Sequence, residues 1–225
     1  MQPGNLFYGQ VYANTTKRLM DVLLGLVLCL LFLPICVVVA ILIKLDSSGP
    51  VFADTPSRVG KNGKKFKMFK FRSMIKNAHQ MLRQDPKFKK LYQEYKRSSY
   101  KLYHDPRVTN FGKFIRKYSL DEVPQFINVL VGDMSLVGPR AYYPDEIRDQ
   151  LKKHPVAKNY LDTAIKVKPG ITGYWQVYGR SEVHFDKRIK MDAEYVKKIS
   201  LWYDILIIVK TPYAMISGKG AVWEV

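Results

Sequence analysis

Between Val22 and Ile43 the chain runs 22 residues without a single charge. As a straight helix this block is about 33 Å long, enough to cross the hydrocarbon core of a bilayer, and the polar surface of a water-soluble domain does not carry such a stretch unbroken. Membrane contact is therefore the first commitment, although a mean hydropathy of -0.17 for the whole chain hides it. Gly25 stands near the start of the block and Pro34 just past its middle. The proline removes one backbone donor and crowds the carbonyl four residues earlier, so the expectation is a kink or break at mid-depth. Two courses stay open on these residues: a single span, or a re-entrant segment that bends and leaves on the side it entered. Lys44, Arg58, Lys61, Lys64, Lys65, Lys67, Lys70 and Arg72 follow the block, which assigns that flank to the cytoplasm. The leading flank, Lys17 and Arg18 with Asp21 offsetting one charge, is only weakly basic. An uncharged polar lead from Gln2 to Thr16, and no small-residue cleavage site after the run, mark the segment as retained and not as a cleaved signal.

The formal charge of +18 directs the surface toward anions: nucleic acid, acidic headgroups or phosphorylated small molecules. Both cysteines, Cys29 and Cys36, lie inside the apolar block, so neither a disulfide framework nor a cysteine zinc site organises the remainder. The expected organisation is an N-terminal membrane segment over residues 1–48 and a cytoplasmic domain over residues 49–225, with an α+β, mostly helical fold. Residues 50–73 read as a β-hairpin turned at Gly60-Lys61-Asn62-Gly63, with a slip in alternation at Met68-Phe69 that signals a bulge or a change of face. Residues 74–101 read as a charged helical excursion broken at Asp85-Pro86, most simply an exposed spacer. Helices are expected near 111–117, from Val123 through Leu130, over 144–153 and over 185–199, with a Pro-Gly turn at Lys168 to Gly173. The segment of about 200–216 is apolar and aromatic, with Trp202, Tyr203 and Tyr213 beside Lys197, Lys198 and Lys210. It suits either a core helix or one lying in the headgroup layer.

Chemistry centres on Ser119-Leu120-Asp121-Glu122. Ser119 and Glu122 have the spacing of a capping box, a purely structural reading that leaves Asp121 without a task. Alternatively Asp121 is itself the N-cap, which puts Pro124 at the third helical position; either register aims a carboxylate at a positive helix end, where it stays ionised. An ionised carboxylate can attack phosphorus, and a second can hold the hard cation that neutralises phosphoryl oxygens. Such a site needs counter-charge. Lys70 and Arg72 end the hairpin, Arg116 precedes Asp121, Arg140 follows Gly138-Pro139, and Arg180 follows Gly179. The planar guanidinium fork matches phosphate oxygens, and adjacent glycines let backbone N–H groups approach. Any one of these arginines, taken alone, is as well explained by a surface or a structural ion pair.

Other chemistries find less support. His79, His104, His154 and His184 are scattered without metal-ligand spacing and read as exposed. No GxSxG or Walker A segment is present, and no recognition motif accompanies the Arg-aromatic interleaving at Phe66 to Arg72, so no nucleic-acid partner is expected. The competing reading from another class is a membrane-anchored basic module that binds acidic lipid or nucleic acid without turnover.

Read in order, the motifs Lys17-Arg18-Leu19-Met20-Asp21 before the Pro34 block, Arg58-Val59-Gly60-Lys61-Asn62-Gly63, Lys70-Phe71-Arg72-Ser73-Met74, Ile115 to Glu122, Gly132-Asp133-Met134-Ser135-Leu136-Val137-Gly138-Pro139-Arg140 and Lys168 to Arg180 resemble the bacterial sugar transferases that are monotopic phosphoglycosyl transferases. The resemblance covers roughly residues 15–210, and the tail from Tyr195 to Asp204 is most similar to members that act on undecaprenyl phosphate with a UDP-hexose, galactose or glucose. It implies transfer of a phosphosugar from a UDP-sugar to a polyprenyl phosphate, with release of UMP, as the first membrane step of glycoconjugate assembly. It implies a ping-pong course in which Asp121 is the nucleophile, Glu122 helps hold Mg²⁺, and Arg116 and Arg140 bind phosphate, with Lys70, Arg72, Gln176 and Arg180 lining the donor pocket. It implies a re-entrant helix-break-helix at Pro34, interfacial amphipathic helices, and a place in an anionic membrane, the cytoplasmic face of a bacterial inner membrane; homo-oligomerisation is left open. Two departures stand out. Leu33 occupies the place where members often have Ser before the proline, and Ala141 replaces the usual Pro after Gly-Pro-Arg, which is expected to loosen that turn. The multi-span N-terminal region of large members is not seen, so the minimal catalytic form is expected.

Overall fold

The computed structural model of the protein describes residues 12–216 apart from Ser99, Lys101, Tyr103 and residues 180–182. The fold is mostly helical with two small sheets. Helix α1, Lys17–Asp46, holds the whole apolar block and follows a π-turn at Tyr12–Thr16. Pro34 lies inside α1 and does not divide it, in place of the two helical halves expected. The proline is accommodated within one element because a helix can lose a single donor and bend without ending. Buried Asp21, Gly25, Val39 and Ile43 and partly buried Leu28, Phe32 and Cys36 recur every three or four residues, which places them on one stripe. Around the rest of the helix Leu23, Leu30, Leu31, Leu33, Val37, Val38, Ile41 and Leu45 are each more than half exposed. Nothing polar in the described chain covers that face.

The packed stripe lies along helices α4 (Asn110–Lys117) and α5 (Gln125–Val131). Gly25 admits α5 closely, since a Cβ there would stand 3.3 Å from Val129 Cγ1, and the Phe32 and Phe126 rings sit 6.1 Å apart. Farther along, Val39 and Ile43 join Ile115 and Phe71 in one cluster. Polar bonds fasten both ends. At the start, Lys17 pairs with Asp204, Arg18 donates to the last-turn carbonyls of Val129 (2.6 Å) and Leu130 (2.9 Å), and Asp21 Oδ1 accepts from Ser135 Oγ and Leu136 N, both at 3.0 Å. At the finish, Asp46 Oδ1 accepts from Phe111 N at 3.2 Å.

The hairpin forms with short strands, β1 (Arg58–Val59) antiparallel to β2 (Lys65–Phe66), and Asn62 takes the left-handed turn position at φ 55°. Burial alternates without a slip from Phe66 through Phe69, and the change of face comes later than expected, after Phe69, where Phe71, Arg72 and Ser73 are all buried. Its cause is an amide, not a strand. Asn128 accepts from Phe69 N and donates to Lys67 O, both at 2.8 Å, so the chain leaves its ladder to follow α5. The excursion forms α2 (Ala78–Gln84) and α3 (Lys89–Arg97), with Asp85 capping the turn between them. It is more than a spacer, because Leu82, Tyr95, Tyr100 and Leu102 bury themselves with Tyr143.

A parallel pair, β3 (Ser135–Val137) and β4 (Gly170–Thr172), runs through the centre, and the principal core of Phe66, Met68, Val129, Met134, Leu136, Val137, Tyr195 and Ile207 gathers about it. Helices α6 (Pro144–Lys153), α7 (Ala157–Ala164), α8 (Tyr174–Tyr178), α9 (Phe185–Lys198) and α10 (Leu201–Ile216) complete the element order. Asp204 and Ile207 of α10 face the core while Trp202, Val209 and Tyr213 are more than two-thirds exposed, so this helix is both core and surface. The β3–β4 contact depends on small residues: a Cβ on Gly170 would lie 2.1 Å from Gly138 N and 2.3 Å from Thr172 O. Gly170→Ala must therefore separate the strands, and overpacking of this kind costs about 1–3 kcal/mol. The expected result is a thermal midpoint several degrees lower in detergent, read by intrinsic fluorescence.

Candidate active site

The paired acids sit in a 3-10 turn, Leu120–Glu122, between α4 and α5. Helix α4 begins with Thr109 capping Gly112 N and ends before Ser119, whose φ of 55° reverses the chain. No capping box forms. Ser119 contributes its backbone carbonyl to Glu122 N at 3.1 Å and its side chain makes no cap bond, because the left-handed residue points it elsewhere. Pro124 occupies the N-cap of α5, so both acids precede the helix, outside either register expected. Asp121 is 5% exposed, whereas the Glu122 side chain is 39% exposed.

Lys70 faces both: its Nζ lies 2.6 Å from Glu122 Oε1 and 3.8 Å from Asp121 Oδ2. Burial pushes the Asp121 carboxyl up, Lys70 and Arg116 oppose this, and the neighbouring Glu122 charge adds to it, leaving Asp121 above the usual aspartate value. Burial also acts on Glu122, but the Lys70 cation, its hydrogen bond and Arg140 outweigh it, and Glu122 falls below the usual range. Two adjacent carboxylates are thus driven apart. The fully charged one meets the lysine, and the more basic one is the buried Asp121, which makes it the better nucleophile once ionised.

A cleft of about 800 Å³ opens over the pair and brings together Lys70, Arg72, Arg116, Asp121, Glu122, Arg140 and Gln176. One part of its lining is apolar, with Leu24, Leu28 and Phe32 of α1, Phe126 of α5, and Ile208 and Pro212 of α10. Another carries Arg58, His79, Tyr95, Arg107 and Tyr143. Arg140 is held at its backbone, where N donates to Asp192 Oδ2 at 3.2 Å, and its guanidinium stands 5.2 Å from the Trp175 ring. The turn that Ala141 was expected to loosen is tied from outside by Arg58 Nη1, which donates to Ala141 O at 3.1 Å. Arg140 Nε and Gln176 Oε1 are buried without a partner among the described residues, and polar atoms so placed in a cleft point toward a ligand. Arg72 is different: its two terminal nitrogens bond the carbonyls of Ser47 and Ser48, just past the end of α1. Arg180 lies outside the described residues.

Several cleft residues had no site role assigned from the sequence. Arg58 and Arg107 are buried, and Arg107 is bound to Asp105 in a close pair at 2.6 Å. His79, expected to be exposed, is half-buried in the cleft wall, where burial and then Arg107, Arg58, Arg83 and Arg116 lower its pKa to about 4 and keep the imidazole neutral. The Asp105-Pro106-Arg107 turn was a legible signal for Arg107; no local signal marks His79. Among the described residues no group of three or more His, Cys, Asp or Glu side chains has the arrangement of a protein-only metal cage.

The profile of the bacterial sugar transferase family matches residues 12–218, and the chain belongs to that family. The UDP-galactose-lipid carrier transferase of Erwinia amylovora is 41% identical over 91% of this chain and 41% of its own length. The UDP-glucose:undecaprenyl-phosphate glucose-1-phosphate transferase of Escherichia coli K12 is 38% identical over the same shares. The exopolysaccharide production protein ExoY of Rhizobium meliloti is 37% identical, over 91% of this chain and 87% of its own length. The chain spans about two-fifths of the length of the first two and most of the third.

Replacing Lys70 by Met removes the cation that opposes protonation of both acids. The Asp121 carboxyl, followed by carbon-13 NMR in the Lys70→Met protein, should titrate at higher pH than in the wild type; an unchanged titration would mean that Lys70 does not act on it.

Proposed function

We propose that the protein transfers a hexose-1-phosphate from a UDP-sugar to undecaprenyl phosphate, giving a polyprenyl-diphosphate sugar and UMP at the start of glycoconjugate assembly. The observation that carries this reading is the buried Asp121 beside Glu122 and Lys70, in a cleft lined on one part by cations and on another by the apolar surface of α1 and α10. A diphosphate donor needs the first lining and a lipid acceptor the second. The names of the relatives agree with both substrates.

In the proposed course, Arg116 and Arg140 hold the donor phosphates while an ionised Asp121 oxygen attacks the β-phosphorus. A bond forms between that oxygen and phosphorus, and the bond from phosphorus to the bridging oxygen breaks, its electron pair leaving with UMP. An oxygen of the lipid phosphate then attacks the same phosphorus, and the aspartyl oxygen departs with its electrons as the free carboxylate. Lys70 keeps Glu122 charged and steadies the charge that returns to Asp121. One or two carboxylates shared with substrate phosphates are the donor set magnesium ordinarily takes, and the Asp121–Glu122 pair fits it, with Glu122 as the protein ligand. Bound there, the ion would neutralise phosphoryl oxygens.

The way α1 is held supports a seating at the membrane surface. Its two ends are bonded to the same polar domain, which lies along the helix, so a straight crossing would carry that domain into the hydrocarbon core. A re-entrant or shallow placement at the cytoplasmic face of a bacterial inner membrane, with α10 in the headgroup layer, avoids this cost.

Incubation with donor alone should release a stoichiometric burst of UMP and leave a phosphohexose mass increment on Asp121. Asp121→Asn should abolish both while the protein stays in the membrane fraction. Full-rate product formation by that variant would overturn the mechanism. UMP release that ignores EDTA would count against magnesium, and Glu122→Gln should raise the magnesium concentration needed for half-maximal rate.

A further inference from the structure

Three consecutive residues join the acids to the end of the apolar helix. Lys70 bonds Glu122 at 2.6 Å, Phe71 N donates to Asp121 O at 2.9 Å, and Arg72 turns to α1. Arg72 is 5% exposed. Its Nη1 donates to Ser48 O at 2.7 Å, and its Nη2 reaches Ser47 O at 2.6 Å, Ser47 Oγ at 3.1 Å and Ile43 O at 3.3 Å. Ser47 and Ser48 follow Asp46, the last residue of α1, and Ile43 O in the last turn also accepts from Ser47 N at 3.3 Å, so the guanidinium holds the chain where it leaves the helix, at the end that carries partial negative charge. The segment is also fixed by its backbone, with Arg72 N on Val51 O at 2.8 Å and Lys70 O accepting from Ala53 N at 2.9 Å.

Gly49 supplies a second, independent observation. Its φ is +129°, a conformation that residues with side chains rarely adopt, and a Cβ there would lie 1.9 Å from Arg72 Nη1. The glycine both turns the chain away from α1 and leaves room for the guanidinium. Extended backbone advances about 3.3 Å per residue, so a shift of the helix end passes to Phe71 and Lys70 across two short, hydrogen-bonded steps.

We propose that Arg72, seated against Gly49, is a positioning residue that latches the C-terminal end of the membrane helix to the catalytic turn, so that the seating of α1 in lipid sets the placement of Asp121 and Lys70. This rests on the reaction proposed above and gives Arg72 a task other than holding donor phosphate. The two tasks separate in Arg72→Lys, which retains the charge and loses the fork, and in Gly49→Ala, which changes no charge and displaces the guanidinium.

The test uses the full chain in lipid nanodiscs, with UDP-galactose or UDP-glucose, whichever the wild type turns over. The rate constant of the UMP burst and the donor concentration at half-maximal rate are measured without acceptor lipid. A latch predicts that both variants lose on the order of 10- to 100-fold in burst rate, the scale of an ångström-level misplacement. It also predicts half-saturating donor within about twofold of wild type, since uniform binding is not removed. The double variant should be no slower than the slower single one, because both break one contact. In the wild type the burst rate should change between nanodiscs of short and long acyl chains, an arm that decides the matter if the variants do not reach the membrane. A raised half-saturating concentration at normal rate in Arg72→Lys, normal rates in both variants, or indifference of the wild type to bilayer thickness would each overturn the latch. No UMP release from the wild type would overturn the reaction and the latch together.

Discussion

An apolar helix whose both ends are bonded to one polar domain is the constraint from which the rest of the structure follows. Lys17, Arg18 and Asp21 bind at the start and Asp46 and the Arg72 seat at the finish, so the exposed greasy face and the charged cleft are held in fixed relation. Lys17, Asp21 and Arg72 are buried charges, expensive to leave unpaired, and their value lies in register more than in net stability. Each meets a specific partner. The same logic appears twice with arginine: Arg18 of the helix ends α5, and Arg72 of the domain ends α1.

The second organising fact is that two adjacent carboxylates do not share one environment. Glu122 is partly exposed and bonded to Lys70, while Asp121 is buried between Lys70 and the backbone of Phe71. Burial raises the basicity of the inner acid, and the lysine opposes that rise. The excursion over α2 and α3 then contributes His79 and Tyr95 to the same cleft, so what read as a spacer is part of the site wall.

Much of this was legible locally. The apolar block, the Asn62 turn, the Asp85-Pro86 break and the helices at Pro144 and Phe185 each rest on a signal within a few residues of where the structure acts on it. The capping box was misread because Ser119 takes a left-handed conformation that sequence does not announce. The β3–β4 pair was missed because its strands are three residues each and their pairing spans a long separation. Arg72 was read as a phosphate ligand because its type and neighbours suit one, yet its partners are carbonyls some 25 residues earlier in the chain.

By itself the sequence determined that the chain carries an uncharged apolar block of membrane-spanning length, that it is mostly helical, and that an Asp-Glu pair stands in a chain rich in basic residues, since periodicity, charge and turn residues act over short range. Only the tertiary structure decided which basic residues reach that pair, that Arg72 bonds the carbonyls just past the helix end, that His79 enters the cleft, and that Pro34 leaves α1 undivided. Those outcomes depend on which distant groups compete for each buried donor and acceptor. Such competition is settled by packing, which no local pattern encodes.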